Sequence, residues 1–400
     1  MRDVLHRVNL GLIGGVERLF CSYMSRATKT GFNQHVLVGG KIAPLLQSII
    51  HKEAASVAYL KYWKGIKLPR CLPFLRRWHH QNLFQQHAGQ LLMLWNAFGE
   101  RQIIQQARQQ KCSVIFYDHG SAISQPDAPM NGAFLDDVDL ILACSRSSKR
   151  TMELRWGAHR PITIVRNPLH YRAMPRSEPR DLPHNRPYRL GVAARLVPIK
   201  GVSLAIHALS LLRETKLLAE LHIAGTGPEH SKLKSLVKHL NLSGHVFFHG
   251  LVPDMRRYYE EIDLLLIPSL REPFGLVGLE AAAHGCPIVC SRIDGLPEAV
   301  IHGTMGLCLP PSIPLKEYPR LGGTLSSIPR QVFDPVKDQL VEPSLLDPAV
   351  LADNIRNILQ SPSLYQQLSK GCLSTTAKDY SFTDYISQLE SAMATTFTPS

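Results

Sequence analysis

The chain has 400 residues, a formal net charge of +13, 44% hydrophobic and 19% charged side chains; this suggests two or three domains with ordinary cores and argues against disorder. No run of eighteen apolar residues occurs, so no membrane-spanning helix is expected, and eight cysteines scattered without a C-x-x-C pair point to a reducing compartment. The charge is uneven: residues 1–167 carry 22 Lys and Arg against 10 Asp and Glu, a balance of +12, whereas residues 168–400 stand at +1.

In chain order, Met1–His6 leads straight into a strand pattern, Val4–Asn9, with no signal-peptide segment, which predicts a cytoplasmic protein, at the inner face of the membrane if it is peripheral. Gly11, Gly14 and Gly15 follow, then a helical run from Val16 to about Lys29 and a second strand at His35–Val38. Between Ala54 and Gly99 there are six basic residues (Lys61, Lys64, Lys67, Arg70, Arg76, Arg77) and no acid, with Trp63, Phe74, Leu75 and Trp78 interleaved. Such a segment suits peripheral contact with an anionic membrane; plain solvated surface is the alternative, and no nucleic-acid reader motif accompanies it, so no nucleic-acid partner is expected. Cys112–Asp118 and Leu140–Ser145 read as strands with polar C-terminal ends, where α/β proteins collect their sites. Ile162–Val165 closes the first half.

Residues 168–187, rich in Pro and Arg, read as a linker between a first domain (1–167) and a second (188–380), with a C-terminal helix and tail at 381–400. The second series contains strands at Tyr188–Ala193, Leu221–Ala224, Val246–His249, Leu264–Pro268 and Pro287–Cys290. Strands alternating with helices predict parallel α/β sheets in both domains. Residues 311–346, punctuated by prolines, read as an insertion, and helical patterns return at Pro348–Gln360, Leu364–Ala377 and Thr383–Met393.

The most informative block runs Glu272-Pro-Phe-Gly-Leu-Val-Gly-Leu-Glu280. It follows an apolar strand and opens an Ala-rich helix, whose N-terminus presents free N–H groups and a positive dipole end suited to an anion. Two glutamates at this spacing are common by chance; the strand–turn–helix setting gives them weight. Gly14 and Gly15 sit after one strand and before a helix, where the backbone can approach a ligand closely. They are not a dinucleotide fingerprint, because G-x-G-x-x-G is absent. Arg195 and Lys200 flank the loop after Gly191–Ala193, and two such cations can neutralise a diphosphate. His119 and Asp118 end a buried strand. Asp137-Val138-Asp139 spells a metal-binding D-x-D, but Asp139 immediately precedes a strand with no second ligand cluster nearby, so that reading is rejected.

These landmarks, in this order, resemble the retaining glycosyltransferases of the GT-B fold, glycosyltransferase family 4 (glycosyl transferases group 1): Gly14-Gly15-Val16-Glu17-Arg18, Asp118-His119-Gly120, Val165-Arg166-Asn167-Pro168, Ala194-Arg195-Leu196 with Lys200-Gly201, Gly225-Thr226-Gly227-Pro228, Glu272–Glu280 and Gly295-Leu296-Pro297-Glu298. The resemblance implies an α/β protein of two Rossmann-like domains facing a deep cleft, with the C-terminal helix packing back on the first. The N-terminal domain would lie on the acceptor side, and the C-terminal one would bind a nucleotide sugar, a UDP- or GDP-sugar, as co-substrate. The acceptor class implied is a lipid-linked sugar or polysaccharide of cell-surface glycan synthesis (capsule, exopolysaccharide or lipopolysaccharide). By resemblance, Glu280 holds the ribose, Glu272 and the backbone of Phe274, Gly275, Leu276 and Val277 hold sugar and phosphates, and Arg195 and Lys200 bind the diphosphate. His119 contacts the sugar near the reacting centre, the Gly14-Gly15 loop faces the donor, and Glu298 is structural. No metal cofactor is implied. The insertion departs from the family pattern. Rival readings are a sugar-nucleotide epimerase of the same fold, a glycan phosphorylase, and a non-catalytic partner in a polysaccharide assembly complex.

Overall fold

Residues 2–12, 14–27, 31–87, 90–125, 128–169 and 176–397 are described in a computed structural model. Part of the expected linker, residues 170–175, lies outside the described residues. The chain divides into two units, Met1–Tyr171 with Phe382–Ser400, and Arg172–Ser381.

The first unit is built on a seven-stranded parallel sheet. Its strands are β1 (Arg2–Val8), β2 (Phe32–Val38), β3 (Ser56–Tyr59), β4 (Leu91–Trp95), β5 (Ser113–Asp118), β6 (Leu140–Ala143) and β7 (Ile162–Ile164), in the order β3-β2-β1-β4-β5-β6-β7. Every residue of β4 is buried, and so are Val4–Val8 of β1, as central strands of a sheet covered on both faces must be. Helix Gly15–Ala27 follows β1 and buries Leu19, Phe20, Tyr23 and Met24. The C-terminal helix Phe382–Thr396 belongs to this unit, with Phe382, Tyr385, Leu389 and Met393 buried. Just beyond it, Phe397 stacks on Phe32 at 5.8 Å.

Two strands of this unit were not expected from the sequence. β3 and β4 lie inside the Ala54–Gly99 stretch read as a basic, aromatic surface segment. That segment in fact contributes the central strand β4 and buries His79 and Phe84 from helix Pro73–Gln85. Its exposed portion is the short ribbon of Tyr62–Trp63 and Ile66–Lys67 with the near end of that helix.

The second unit carries a six-stranded parallel sheet of β8 (Tyr188–Ala193), β9 (Ala219–Ala224), β10 (Val246–Gly250), β11 (Leu264–Ile267), β12 (Ile288–Ser291) and β13 (Gly306–Leu309), in the order β10-β9-β8-β11-β12-β13. The chain winds outward from β8 in one direction and then returns to build from β11 in the other. β8 and β11 are therefore neighbours, with Leu190 opposite Leu264, and the reversal of strand order falls between them. Ligands of open α/β sheets bind at the carboxyl ends of the strands at such a reversal. The insertion is not one irregular loop: it forms two small antiparallel pairs, Ile313–Pro314 with Ser344–Leu345 and Val332–Asp334 with Gln339–Val341. Among the described residues, no helix is long and apolar enough to cross a membrane.

Candidate active site

In the second unit the loops after β8 and β11 are locked together by glycine. Gly201 has φ +63°, and a Cβ there would lie 2.0 Å from the Pro268 carbonyl oxygen, so no other residue permits this approach. The Leu270 N–H donates to the Ile199 carbonyl at 2.8 Å across the same seam. This closure brings Lys200, at the end of the short 3-10 turn Pro198–Lys200, against Glu272. The Lys200 ammonium donates to Glu272 Oε2 in a largely buried ion pair. The sequence reading gives these residues separate ligands; in the structure each is the other's partner. Arg195, two residues beyond β8, is exposed and forms no ion pair among the described residues.

Behind Glu272 stands a residue that sequence reasoning missed, Asp294. It is buried, with φ +45°, a left-handed conformation that Asp tolerates better than most residues. Its two oxygens accept from the backbone N–H of Glu272 at 2.9 Å and of Phe333 at 2.8 Å. The next residue, Gly295, donates to the Glu272 carbonyl at 3.1 Å, and a Cβ on it would meet the Pro273 oxygen at 2.0 Å. Burial pushes the Asp294 carboxyl up to about 6, against the opposing pull of Arg271 and the two N–H donors. Phe333 belongs to the insertion. So does Tyr318, whose buried hydroxyl donates to the Pro198 carbonyl at 2.7 Å. The insertion therefore braces both sides of the Lys200–Glu272 pair.

Helix Leu276–Ala283 starts at Gly275, whose φ of +104° turns the chain from the Pro-Phe-Gly segment into the helix. No side chain caps it, so the first-turn N–H groups of this positive dipole end are suited to an anion. The Phe274 ring is buried against Tyr380, 6.3 Å away, which leaves its backbone as the part able to meet a ligand. Glu280 lies one turn into the helix, where the Tyr259 hydroxyl donates to its Oε2 at 2.7 Å. Burial, and then the charge of Glu280, raise the Tyr259 pKa well above its ordinary value, so it remains a donor at neutral pH.

In the first unit Asp118, at the end of β5, is consumed by its own loop. It accepts from the Gly120 and Ala122 N–H groups at 3.0 and 2.9 Å, from Ser121 Oγ at 2.6 Å, and from Ser148. Asn96 Oδ1 accepts from the N–H groups of His119 and Ser121, both at 3.0 Å. This frame holds the His119 ring flat against Trp95 (centroids 5.8 Å, 6° between planes) and 4.0 Å from the Tyr117 ring. Burial drives His119 down to about 4, against the opposing pull of Asp118 and of the Asn167 amide. It is therefore neutral near pH 7. Neither of its ring nitrogens has a hydrogen bond of standard geometry among the described residues, although such atoms normally find a partner when buried. Gly14 and Gly15 open the helix after β1, and a Cβ on Gly14 would meet the Glu17 carboxylate at 2.7 Å. Asp137 and Asp139 pair with Arg101 at 2.9 Å and Arg108 at 2.7 Å, which accounts for both carboxylates without a ligand.

The structure thus gathers Lys200, Glu272 and the Gly275 helix start at the β8/β11 reversal, places Arg195 and Glu280 on the elements that form it, and puts Gly14, Gly15 and His119 in the other unit. Asp294 carries a visible signal, the Asp-Gly turn dipeptide. Tyr259 and Tyr318 carry none.

Residues 176–316 match the family model described as "Glycosyl transferases group 1". The glycogen synthase of Mycobacterium tuberculosis is 34% identical over 197 residues, covering 48% of this chain and 46% of that protein. A D-inositol 3-phosphate glycosyltransferase of Arthrobacter is 33% identical over 126 residues, 30% of each chain. The chain thus spans under half the length of these curated relatives. Among solved structures, Anabaena HepE in complex with UDP superposes with a TM-score of 0.73 over 99% of this chain and 100% of that one, at 15% identity, which shows a common fold. On this ground the chain carries a glycosyl transferases group 1 domain, at residues 176–316, within a GT-B fold.

Proposed function

We propose that this protein is a retaining glycosyltransferase of family 4, transferring a sugar from a nucleotide-sugar donor to a lipid-linked or polysaccharide acceptor of cell-surface glycan synthesis. The observation that carries the reading is the Lys200–Glu272 pair, held beside an uncapped helix start at the β8/β11 reversal. In this reading the arriving donor exchanges the partners of that pair. Its diphosphate takes Lys200, joined by Arg195 and the first-turn N–H groups at Leu276 and Val277, and Glu272 turns to the sugar hydroxyls. Charge developing on the departing diphosphate is met by these fixed cations and dipoles, so the donor requires no divalent metal.

Glu280 accepts the ribose hydroxyls, oriented by the Tyr259 hydroxyl. His119 offers neutral ring nitrogens to a sugar hydroxyl. No side chain is poised as a covalent nucleophile, so the incoming hydroxyl attacks on the face that the diphosphate leaves, and the leaving phosphate accepts its proton. The UDP in HepE makes a UDP-sugar the first donor to try. The exposed aromatic and basic surface around Trp63 and Trp78 supports action at the cytoplasmic face of an anionic membrane.

The test is release of free nucleotide from UDP- and GDP-sugars, with and without lipid-linked and glycan acceptors, with product stereochemistry read by NMR. Release that depends on acceptor and retains configuration is expected. Conversion of donor without acceptor would replace the reading with epimerisation, and inversion would overturn the mechanism.

A further inference from the structure

Asp3, His35 and His87 converge at the N-terminal edge of the first sheet, the opposite end of β1 from Gly14 and Gly15. Asp3 on β1 pairs with Asn33 on β2, and His35, two residues on, pairs with Ser56 on β3. The two-residue period of a strand puts Asp3, Asn33, His35 and Ser56 on one face. His87 enters from just beyond helix Pro73–Gln85, where its backbone N–H donates to the Phe84 carbonyl at 3.0 Å. The two imidazoles lie 4.5 Å apart. His35 Nε2 is 3.6 Å from Asp3 Oδ1, and His87 Nδ1 is 3.7 Å from Asp3 Oδ2. Both nitrogens are buried, and neither has a hydrogen bond of standard geometry among the described residues, each facing an oxygen of Asp3 instead.

His35 Nδ1 lies 2.7 Å from Ser56 Oγ. When that nitrogen donates to the serine, Nε2 presents its lone pair to a carboxylate oxygen, and two acceptors face one another. A shared proton or a bound cation resolves this arrangement. One ligand atom from each residue lies within 4.8 Å of the other two, the one group of three such residues found among the described residues. Ligands about 2.0–2.1 Å from a tetrahedral zinc stand roughly 3.3 Å from one another, a few tenths of an ångström inside the two His–Asp separations, so the three side chains close inward on the ion. The supporting contacts are also in place: Asn33 Nδ2 donates to Asp3 Oδ1 at 2.9 Å, and Ser56 holds His35, as partners behind metal ligands do.

We propose that Asp3, His35 and His87 bind a borderline first-row dication, zinc or a near neighbour, as a clamp that ties β1, β2 and the segment after helix Pro73–Gln85. Two imidazoles and one carboxylate suit zinc, nickel or cobalt rather than magnesium or calcium. The site lies away from the strand ends that carry His119 and the glycines, and it is independent of the donor chemistry proposed above.

The test uses the full chain, stripped with a chelator and titrated with zinc sulfate by calorimetry. One zinc per chain is expected, lost in the His35→Ala/His87→Ala double variant and weakened about ten- to a hundred-fold in Ser56→Ala, with circular dichroism confirming that the variants fold. On the wild-type chain, zinc should also protect His35 and His87 from diethyl pyrocarbonate, read by peptide mass. No stoichiometric zinc, equal affinity in the folded double variant, or unchanged modification of His35 and His87 with zinc present would each overturn the site.

Discussion

Asp294→Asn isolates the group that joins the Glu272 loop to the insertion. Asn keeps the size of the side chain and tolerates φ +45°, so the change removes the buried charge, which depends on pH, and one of the two accepted N–H bonds, which does not. The wild-type carboxyl moves from an ordinary 3.8 to about 6, chiefly through burial, and that gap corresponds to about 3 kcal/mol. Because the folded pKa is the higher one, the folded state binds more protons between those values. This contribution is complete below pH 3.8, is lost as pH rises through about 6, and is flat above. The stability of Asp294→Asn minus that of the wild type should therefore grow by about 3 kcal/mol from pH 4 to above pH 6. A constant cost for the misfitted amide leaves that slope unchanged. The four tryptophans, Trp63, Trp78, Trp95 and Trp156, all lie in the first unit. Unfolding of the second must accordingly be followed by hydrogen exchange on peptides spanning Glu272–Ala283. The variant should also use donor poorly, because an amide accepts from only one of the two N–H groups that the carboxylate holds. A difference that stays level, or falls, across this window would refute the reasoning.

The first unit should show the opposite slope. His6 and His119 are both driven down to about 4 by burial, so their contribution is present above pH 6.5 and lost as pH falls toward 4. His119→Gln should remove part of that loss in tryptophan-detected unfolding, and a variant with the full wild-type slope would contradict the assignment. Lys200→Ala and Arg195→Ala should lower turnover by about ten- to a hundred-fold, the loss of one charge-assisted contact; an effect confined to acceptor KM would contradict their place on the diphosphate. Binding to anionic vesicles should weaken with salt and fall when Lys61, Lys64, Lys67 and Arg77 are neutralised, and equal binding by that variant would remove the membrane face from the account.

The second unit was the more legible in sequence because its strands are short apolar runs closed by Gly, Pro and polar residues: Tyr188–Ala193 falls on the observed strand and the four other expected strands lie within one or two residues of theirs, while the short edge strand Gly306–Leu309 was not expected. In the first unit the central strand Leu91–Trp95 escaped because five continuous apolar residues look alike in a buried strand and a buried helix segment. It also sits in a stretch whose basic charge directs attention to the surface. The site was legible where chemistry is local, as in the Pro-Phe-Gly turn that starts a helix and the Lys-Gly that ends a tight loop. It was hidden where partners are distant, as with Tyr318 and Pro198, 120 residues apart. The pairing of Lys200 with Glu272 depends on Gly201 fitting against Pro268, and no local pattern announces that contact.

The central claim, that the second unit holds a nucleotide sugar through Glu280 and Lys200, is met most directly by a thermal-shift screen of the chain against UDP-, GDP- and ADP-sugars, repeated on Glu280→Ala. A ligand that binds the folded state alone raises its melting temperature by mass action. The account predicts that one nucleotide class raises the melting temperature of the wild type, and that Glu280→Ala requires about ten- to a hundred-fold more of it for the same shift. No shift with any of the three, or an equal shift in the variant, would contradict it.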